Sequence, residues 1–206
     1  RDRLEGAGDI DWCLTERPGH AVELAASARS NNCTGVVAIG GDGTVNEVVN
    51  GLMTIAPPDR PYLGVIPSGS GNDFAWASKV GPRVDRALQQ IVAGDLRPVD
   101  IGQITHPTHG SRYFANSAGM FIVAAISIRA REMKRLHGLA MYVAATIKSI
   151  AHDFDAVPIR LIVDGVESSH EVIMLSVGNG AREGGGFMTN PSARNDDGLF
   201  NFMLSS

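Results

Sequence analysis

Between residues 36 and 52 the chain switches from one hydrophobic period to another. Val36, Val37, Ala38 and Ile39 form a continuous apolar run, mostly β-branched, as in a buried strand. Val45, Val48, Val49 and Leu52 then recur at i, i+3, i+4 and i+7, which is one face of a helix. Gly40-Gly41-Asp42-Gly43-Thr44 lies between them. Thr44 and Glu47 have capping-box spacing and predict the start of that helix. A strand, a glycine turn and a helix N-terminus, in that order, aim backbone N–H groups and the helix dipole at one point, where a phosphate can bind.

The alternation continues on both sides. Ile10, Trp12 and Leu14 alternate and predict a strand over Asp9 to Thr15. The alanine-rich stretch from Ala21 to Arg29 predicts a helix that Asn31-Asn32 ends. After a stop at Pro57-Pro58-Asp59, Tyr62 to Ile66 reads as another buried strand. It runs into a second glycine turn, Pro67-Ser68-Gly69-Ser70-Gly71, and Asn72-Asp73-Phe74 opens a helix. Pro82 to Ala93 predicts a helix with Val84, Leu88 and Ile91 inward and Gly94 as its C-cap. Strands alternating with helices argue a parallel sheet covered by helices.

Near Leu96 the pattern changes. Strands are predicted over Leu96 to Ile104 and Ser111 to Ser117, and helices over Phe121 to Arg135 and Leu139 to Ala151, broken at His137-Gly138. Strands dominate from Val157. Ile159, Leu161 and Val163 alternate, Asp164-Gly165 signals a hairpin turn, and Val172 to Val177 and Phe200 to Leu204 follow as strands. The expected architecture is an α/β domain over residues 1–97, then a β-rich domain with a helical insertion over residues 98–206.

Composition narrows the class. The 206 residues are 44% hydrophobic and 19% charged, ordinary for a globular chain long enough to bury a core. A net charge of −4 supplies no global basic field, so nucleic acid is not an expected partner. Cys13 and Cys33 have neither metal spacing nor a disulfide framework; they are expected in the core, in a reducing compartment. No apolar run reaches the length of a membrane span, and no signal peptide is apparent, so a cytoplasmic location is expected. The chain lacks an initiator Met and stops on a predicted strand, so truncation at both ends is expected.

Asp42 is the unusual residue of the first turn, because a carboxylate beside a phosphate is repulsive. It makes sense with a cation between them, or as an acceptor from a hydroxyl or amide. The second turn repeats the combination with Asp73, and Ser70 and Asp73 again have capping-like spacing. Adjacent parallel strands end on the same side of a sheet, so the two turns are expected to face one cleft, a nucleotide site. The chain lacks a P-loop, the third glycine of a dinucleotide fingerprint and a nucleophile elbow. Arg129, Arg131, Lys134 and Arg135 form a basic run on the helical insertion. It reads either as a solvated helix face or as a patch that meets anionic headgroups at a membrane surface. His106 and His109 flank Pro107 without a third ligand nearby and read as surface residues.

Gly40 to Leu52, followed by Leu63-Gly64-Val65-Ile66-Pro67-Ser68-Gly69-Ser70-Gly71-Asn72-Asp73-Phe74-Ala75, resembles the catalytic domain of the diacylglycerol kinase family. That family includes bacterial lipid kinases and is similar to sphingosine and ceramide kinases. The first motif is shared with NAD kinases; the second points to the lipid-kinase branch. Val99-Asp100-Ile101-Gly102, Tyr113-Phe114-Ala115-Asn116 and Asp197-Gly198-Leu199-Phe200 match in order, so the resemblance spans nearly the whole chain.

The resemblance implies an ATP-dependent lipid kinase, with diacylglycerol the expected acceptor, peripheral at the membrane, its second domain a β-sandwich and ATP in the cleft between the domains. A sphingoid-base or NAD-kinase-like phosphotransferase and an inactive nucleotide-binding protein are the alternatives, and a homodimer stays open. It implies nucleotide contacts at Thr15, at Gly41, Asp42, Gly43, Thr44, Val45, Asn46 and Glu47, and at Ser70. Asp42 and Asp73 match aspartates needed for activity. Asp197 matches a metal-binding aspartate, expected to hold Mg2+ with the carbonyls of Arg194 and Leu199, although Asn195-Asp196-Asp197-Gly198 also reads as a plain turn. The family's first strand would precede Arg1, and its general base, a glutamate, would follow Ser206. Glu183 comes before the metal motif, the wrong order for that base, and Gly184-Gly185-Gly186 reads as a flexible loop near the cleft.

Overall fold

A computed structural model describes residues 9–133, 136, 138–153 and 155–206. Helix α1 (His20–Ser27) precedes strand β1 (Gly35–Gly40), helix α2 (Asp42–Leu52) and strand β2 (Tyr62–Pro67). β1 and β2 pair in parallel from Gly35↔Tyr62 to Gly40↔Pro67, so the two strands end level. Helix α3 (Asp73–Ala77) follows the second glycine turn, and α4 (Val84–Ala93) ends on Gly94 in the left-handed conformation. α1 and α2 pack through small residues. A Cβ at Gly51 would strike the Val22 carbonyl oxygen and approach Ala25 Cβ to 2.7 Å, so this crossing requires glycine. The core between α2 and the sheet holds Ala38, Val45, Val48, Val49, Leu52 and Val65.

The second half is antiparallel. Strands β3 (Gly102–His106) and β4 (Gly110–Phe114) form one hairpin. Strand β5 (Ser117–Phe121) lies beside β8 (Met174–Gly178), which pairs in turn with β9 (Asn201–Ser205). Helices α5 (Ile122–Glu132) and α6 (Gly138–Asp153) pack on each other. Strands β6 (Val157–Val163) and β7 (Val166–Val172) form the hairpin predicted at Asp164-Gly165, both of which have positive φ. The halves are joined through α2 and β4. The Asn50 side chain donates to the Tyr113 carbonyl at 2.9 Å and accepts from the Tyr113 amide at 3.0 Å, as a neighbouring strand would.

Several expectations change. Asp9 to Thr15 is not a strand: among the described residues β1 pairs only with β2, so the alternation meets no ladder, and Ile10, Trp12 and Leu14 are exposed. Residues 96–101 are likewise irregular, with Leu96 exposed. The run from Ser111 to Ser117 divides between two sheets, and Phe121 ends β5 instead of opening a helix. The strand after the hairpin turn is the polar β7, which ladders with β6 along its whole length; Val172 to Val177 spans the junction of β7 and β8. β1 is buried on one face only, with Val37 and Ile39 exposed, and Val84 faces solvent while Ala87 takes the inward position on α4. Cys13 is exposed and Cys33 half-buried, so neither is a core residue.

Candidate active site

The C-terminal ends of β1 and β2 carry the two glycine turns, and the level register sets them side by side. Their backbones touch: a Cβ at Gly69 would collide with the Cα of Gly41, and one at Gly41 would sit 3.0 Å from the Cα of Gly69. α2 begins at Asp42, three residues earlier than the capping box predicts. Its N-cap is Gly41, which supplies no side-chain cap, and the space beside Gly43 is open. Glu47 does not reach back to Thr44. Its Oε1 accepts the Gly19 amide at 2.9 Å, which ties α2 to the start of α1. Thr44 instead lies against Gly40, where a Cβ would come within 2.6 Å.

Asp42 looks across to the second turn. Its Oδ1 accepts the Phe74 amide at 2.9 Å. Gly71 lies on its other oxygen, where a Cβ would stand 2.9 Å from Oδ2. The second turn is closed by Asn72, left-handed at φ 54°, whose side chain accepts from the Gly69 amide at 2.9 Å and donates to the Gly69 carbonyl at 2.7 Å. The Ser70–Asp73 cap is therefore replaced by an Asn72–Gly69 loop closure, and Ser70 is exposed.

Asp73 is almost wholly buried, at 3% exposure. Its Oδ1 takes Nε and Nη2 of Arg182 at 3.1 and 3.0 Å, and its Oδ2 takes the Gly185 amide at 2.8 Å. Burial pushes this carboxyl above the usual carboxylate range. The Gly185 amide pulls it down, the nearby Asp42 charge pushes it up, and Arg182 pulls it down. Gly184-Gly185-Gly186 does lie at the cleft, as expected. It is pinned there, with paired hydrogen bonds between the backbones of Glu183 and Phe187 at its base. Glu183 accepts from the buried Ser176 hydroxyl at 3.1 Å.

The Arg194–Leu199 turn is tied to Asp100. The Asp100 amide donates to the Asn195 carbonyl at 2.8 Å, and Asp100 Oδ2 accepts the Gly198 amide at 2.7 Å. The buried Asn195 side chain donates to Ser78 Oγ at 2.9 Å. Arg194 pairs with Asp196 at the surface. Asp197 is exposed and its Oδ1 accepts the Leu199 amide at 3.1 Å, a local turn. Among the described residues no three His, Cys, Asp or Glu side chains converge as a metal site. One carboxylate with main-chain carbonyls is a hard oxygen set, so the residues present fit Mg2+ by donor type.

Of the residues predicted to meet a nucleotide, Gly41, Asp42, Gly43 and Thr44 form the turn and first positions of α2. Asn46 and Glu47 are half-buried in the next turn, and Val45 belongs to the core. Thr15 is exposed in the irregular segment before α1. Of the basic run, Arg129 turns inward and donates to the fully buried Ser149 on α6 at 2.8 Å. Lys134, Arg135 and the expected break at His137 lie outside the described residues, as does the side chain of Arg131. Sequence reasoning missed Arg182. Its only signal was its place just before the glycine run.

The first half, residues 1–104, matches the family model of the diacylglycerol kinase catalytic domain. The chain belongs to that family. Residues 117–205 match the YegS C-terminal NAD kinase beta sandwich-like domain, so this diacylglycerol kinase-type chain carries a parallel-sheet domain followed by a sandwich-like one. It is 35% identical over 192 residues to "Probable lipid kinase YegS-like" of Chromohalobacter salexigens, covering 93% of this chain and 60% of that protein. It is 31% identical over 197 residues to the protein of the same name from Yersinia enterocolitica, covering 95% and 63%. The chain thus spans less than two thirds of the length of these relatives. The solved structure of a diacylglycerol kinase from Bacillus anthracis superposes with a TM-score of 0.75 at 26% identity, covering 98% of this chain and 64% of that one.

Proposed function

We propose that the protein of which this chain is part is an ATP-dependent lipid kinase that phosphorylates a lipid hydroxyl, with diacylglycerol as acceptor and phosphatidic acid as product. The observation that carries this reading is the meeting of the two glycine turns that bear Asp42 and Asp73. Two glycine turns, each bearing one acidic residue, touch at the ends of adjacent parallel strands in a chain of the diacylglycerol kinase family. The first amides of α2 have no side-chain cap, the space beside Gly43 is open, and these amides would hold phosphate oxygens of ATP. In phosphoryl transfer the protein mainly positions the reactants and neutralises charge. The acceptor oxygen bonds to the γ-phosphorus as the bridge to the β-phosphate breaks, and the hydroxyl proton leaves to a base.

Asp42 orients the second turn through the Phe74 amide and leaves its other oxygen towards Gly71. Asp73 is positioned behind it by Arg182 and Gly185. Asp197, with the carbonyls of Arg194 and Leu199, would hold Mg2+, which neutralises phosphate charge when bound. Among the described residues no helix is long and apolar enough to cross a membrane. We infer contact with the bilayer at its surface, with Arg131, Lys134 and Arg135 of the basic run contributing, since Arg129 turns inward to Ser149. The test is transfer of radiolabelled phosphate from ATP by the full-length protein to a panel of lipids and NAD. Labelled phosphatidic acid is the expected product; label on NAD alone would overturn the lipid reading, and label on sphingoid bases alone would move the acceptor.

A further inference from the structure

We propose that Arg182 is a positioning residue for phosphoryl transfer: it binds the loop of the second half to Asp73 and thereby fixes the second glycine turn against the first. This rests on reading the site as a phosphotransfer centre. Arg182 lies 109 residues from Asp73 in sequence, yet two of its nitrogens share Asp73 Oδ1 at 3.1 and 3.0 Å. Nη2 also approaches the Gly71 carbonyl at 3.5 Å. The guanidinium carbon sits 4.5 Å above the centre of the Trp76 ring, one turn along α3 from Asp73. A planar cation stacked on an aromatic face has its donor fork set in one orientation, which an ammonium cannot match.

The other end of this arm is also tied. The Arg182 carbonyl accepts Asn116 Nδ2 at 2.7 Å, and the amides of Asn179 and Gly180 donate to the Asn116 carbonyl at 2.8 Å each. Three residues past Arg182, the Gly185 amide takes the second oxygen of Asp73. Gly184, Gly185 and Gly186 have φ of 64, 85 and 133°, a reversal that L side chains resist. Gly185 then lies on Gly71, whose Cβ position is 3.2 Å from the Gly185 Cα and 2.9 Å from Asp42 Oδ2. Gly185, Gly71 and Asp42 are thus stacked, and Gly69 rests on Gly41. A shift of the loop toward the turns presses Gly185 onto Gly71 and Asp42. Arg182 is largely shielded, and its Nε and Nη2 are spent on Asp73 and Gly71, so the role assigned to it is to act through Asp73.

The test uses the full-length protein and the variants R182Q, R182K, D73N and the double variant D73N/R182Q. Affinity for a non-hydrolysable ATP analogue with Mg2+ is measured by calorimetry, and hydrogen exchange is followed by mass spectrometry. R182Q is expected to weaken the analogue at least tenfold, and R182K to recover part of that loss. In the D73N background R182Q should cost less than twofold more, because the two residues act as one unit. Amides of residues 69–74 and 183–187 should exchange faster in R182Q while those of α4 stay unchanged. Equal losses from R182Q in both backgrounds, or unchanged exchange in both segments, would overturn the proposal. So would a variant with a lower melting temperature and unchanged analogue affinity. If R182Q does not fold, R182K carries the same comparisons. A wild-type protein that phosphorylates no lipid counts against the proposed function, while the exchange experiment still decides the role of Arg182.

Discussion

The Phe74 amide donates to Asp42 Oδ1 at 2.9 Å, a bond across 32 residues that ties the first glycine turn to the second. Asp42 is therefore a structural acceptor as well as the charge nearest the open turn. Asp42→Ala should lose that bond at a cost of about 1.5 kcal/mol, the low end for a bond to a charged group. A fall of about 3–6 °C in melting temperature follows from the scaling for a domain of this size. Asp42→Asn keeps an oxygen for the Phe74 amide. It should melt within about 1 °C of wild type while lipid phosphorylation falls by at least two orders of magnitude. Full activity in the Asn variant would show that the carboxylate charge is not needed.

Asp73 gives a pH signature. Its folded-state carboxyl is raised, chiefly by burial and also by Asp42, against the opposing pull of Gly185 and Arg182. Between the unfolded value, about 3.9, and the raised folded value, the folded protein holds more protons than the unfolded chain. The Asp73 contribution to stability is therefore present below about pH 3.9 and is lost as pH rises through the folded pKa. Asp73→Asn removes this dependence. Relative to wild type, the Asn variant should be more stable near pH 7 than near pH 4, compared by urea midpoints. A stability difference that does not change with pH would mean that the carboxyl titrates normally.

The glycines of the turns divide by what surrounds them. A side chain at Gly69 meets the Gly41 backbone, which cannot yield, so Gly69→Ala should destabilise by about 1–3 kcal/mol and push the turns apart. Gly43 has nothing within 4 Å of its Cβ position and lies in the first turn of α2. Gly43→Ala should leave stability unchanged or raise it by up to about 1 kcal/mol through helix propensity. The added methyl would stand in the space assigned to phosphate, so ATP affinity should fall. A thermal melt and an ATP titration of each variant check both statements.

Asp197 is exposed and, among the described residues, accepts a hydrogen bond from its own turn, whereas Asp100 holds that turn through the Gly198 amide. Asp197→Ala should melt like wild type in EDTA, within about 0.5 kcal/mol, as surface substitutions do. The rise in melting temperature that Mg2+ gives the wild-type protein should be lost. An equal Mg2+ response in the variant would remove Asp197 from the metal site.

Local periodicity was enough to find β1, α2, β2 and α4, because their hydrophobic pattern is written within a few positions and each found the partner that the pattern presumes. Composition and turn chemistry found both glycine turns and their aspartates for the same reason. The capping box at Thr44 and Glu47 misled, since Glu47 had a better partner in the Gly19 amide, far away in sequence. The strand expected at Asp9 to Thr15 failed because a strand exists only where a neighbour offers a ladder.

What tertiary structure alone decided is the site as a unit. The parallel register that ends β1 at Gly40 and β2 at Pro67 makes the turns level. The fold then brings Arg182 and Gly185 onto Asp73, over a separation at which no sequence period operates. By itself the sequence determined which residues could hold a phosphate and which two acids would accompany them. Tertiary packing decided that one acid bridges the two turns and the other is buried under Arg182 and Gly185, because burial and ion pairing depend on which surfaces meet.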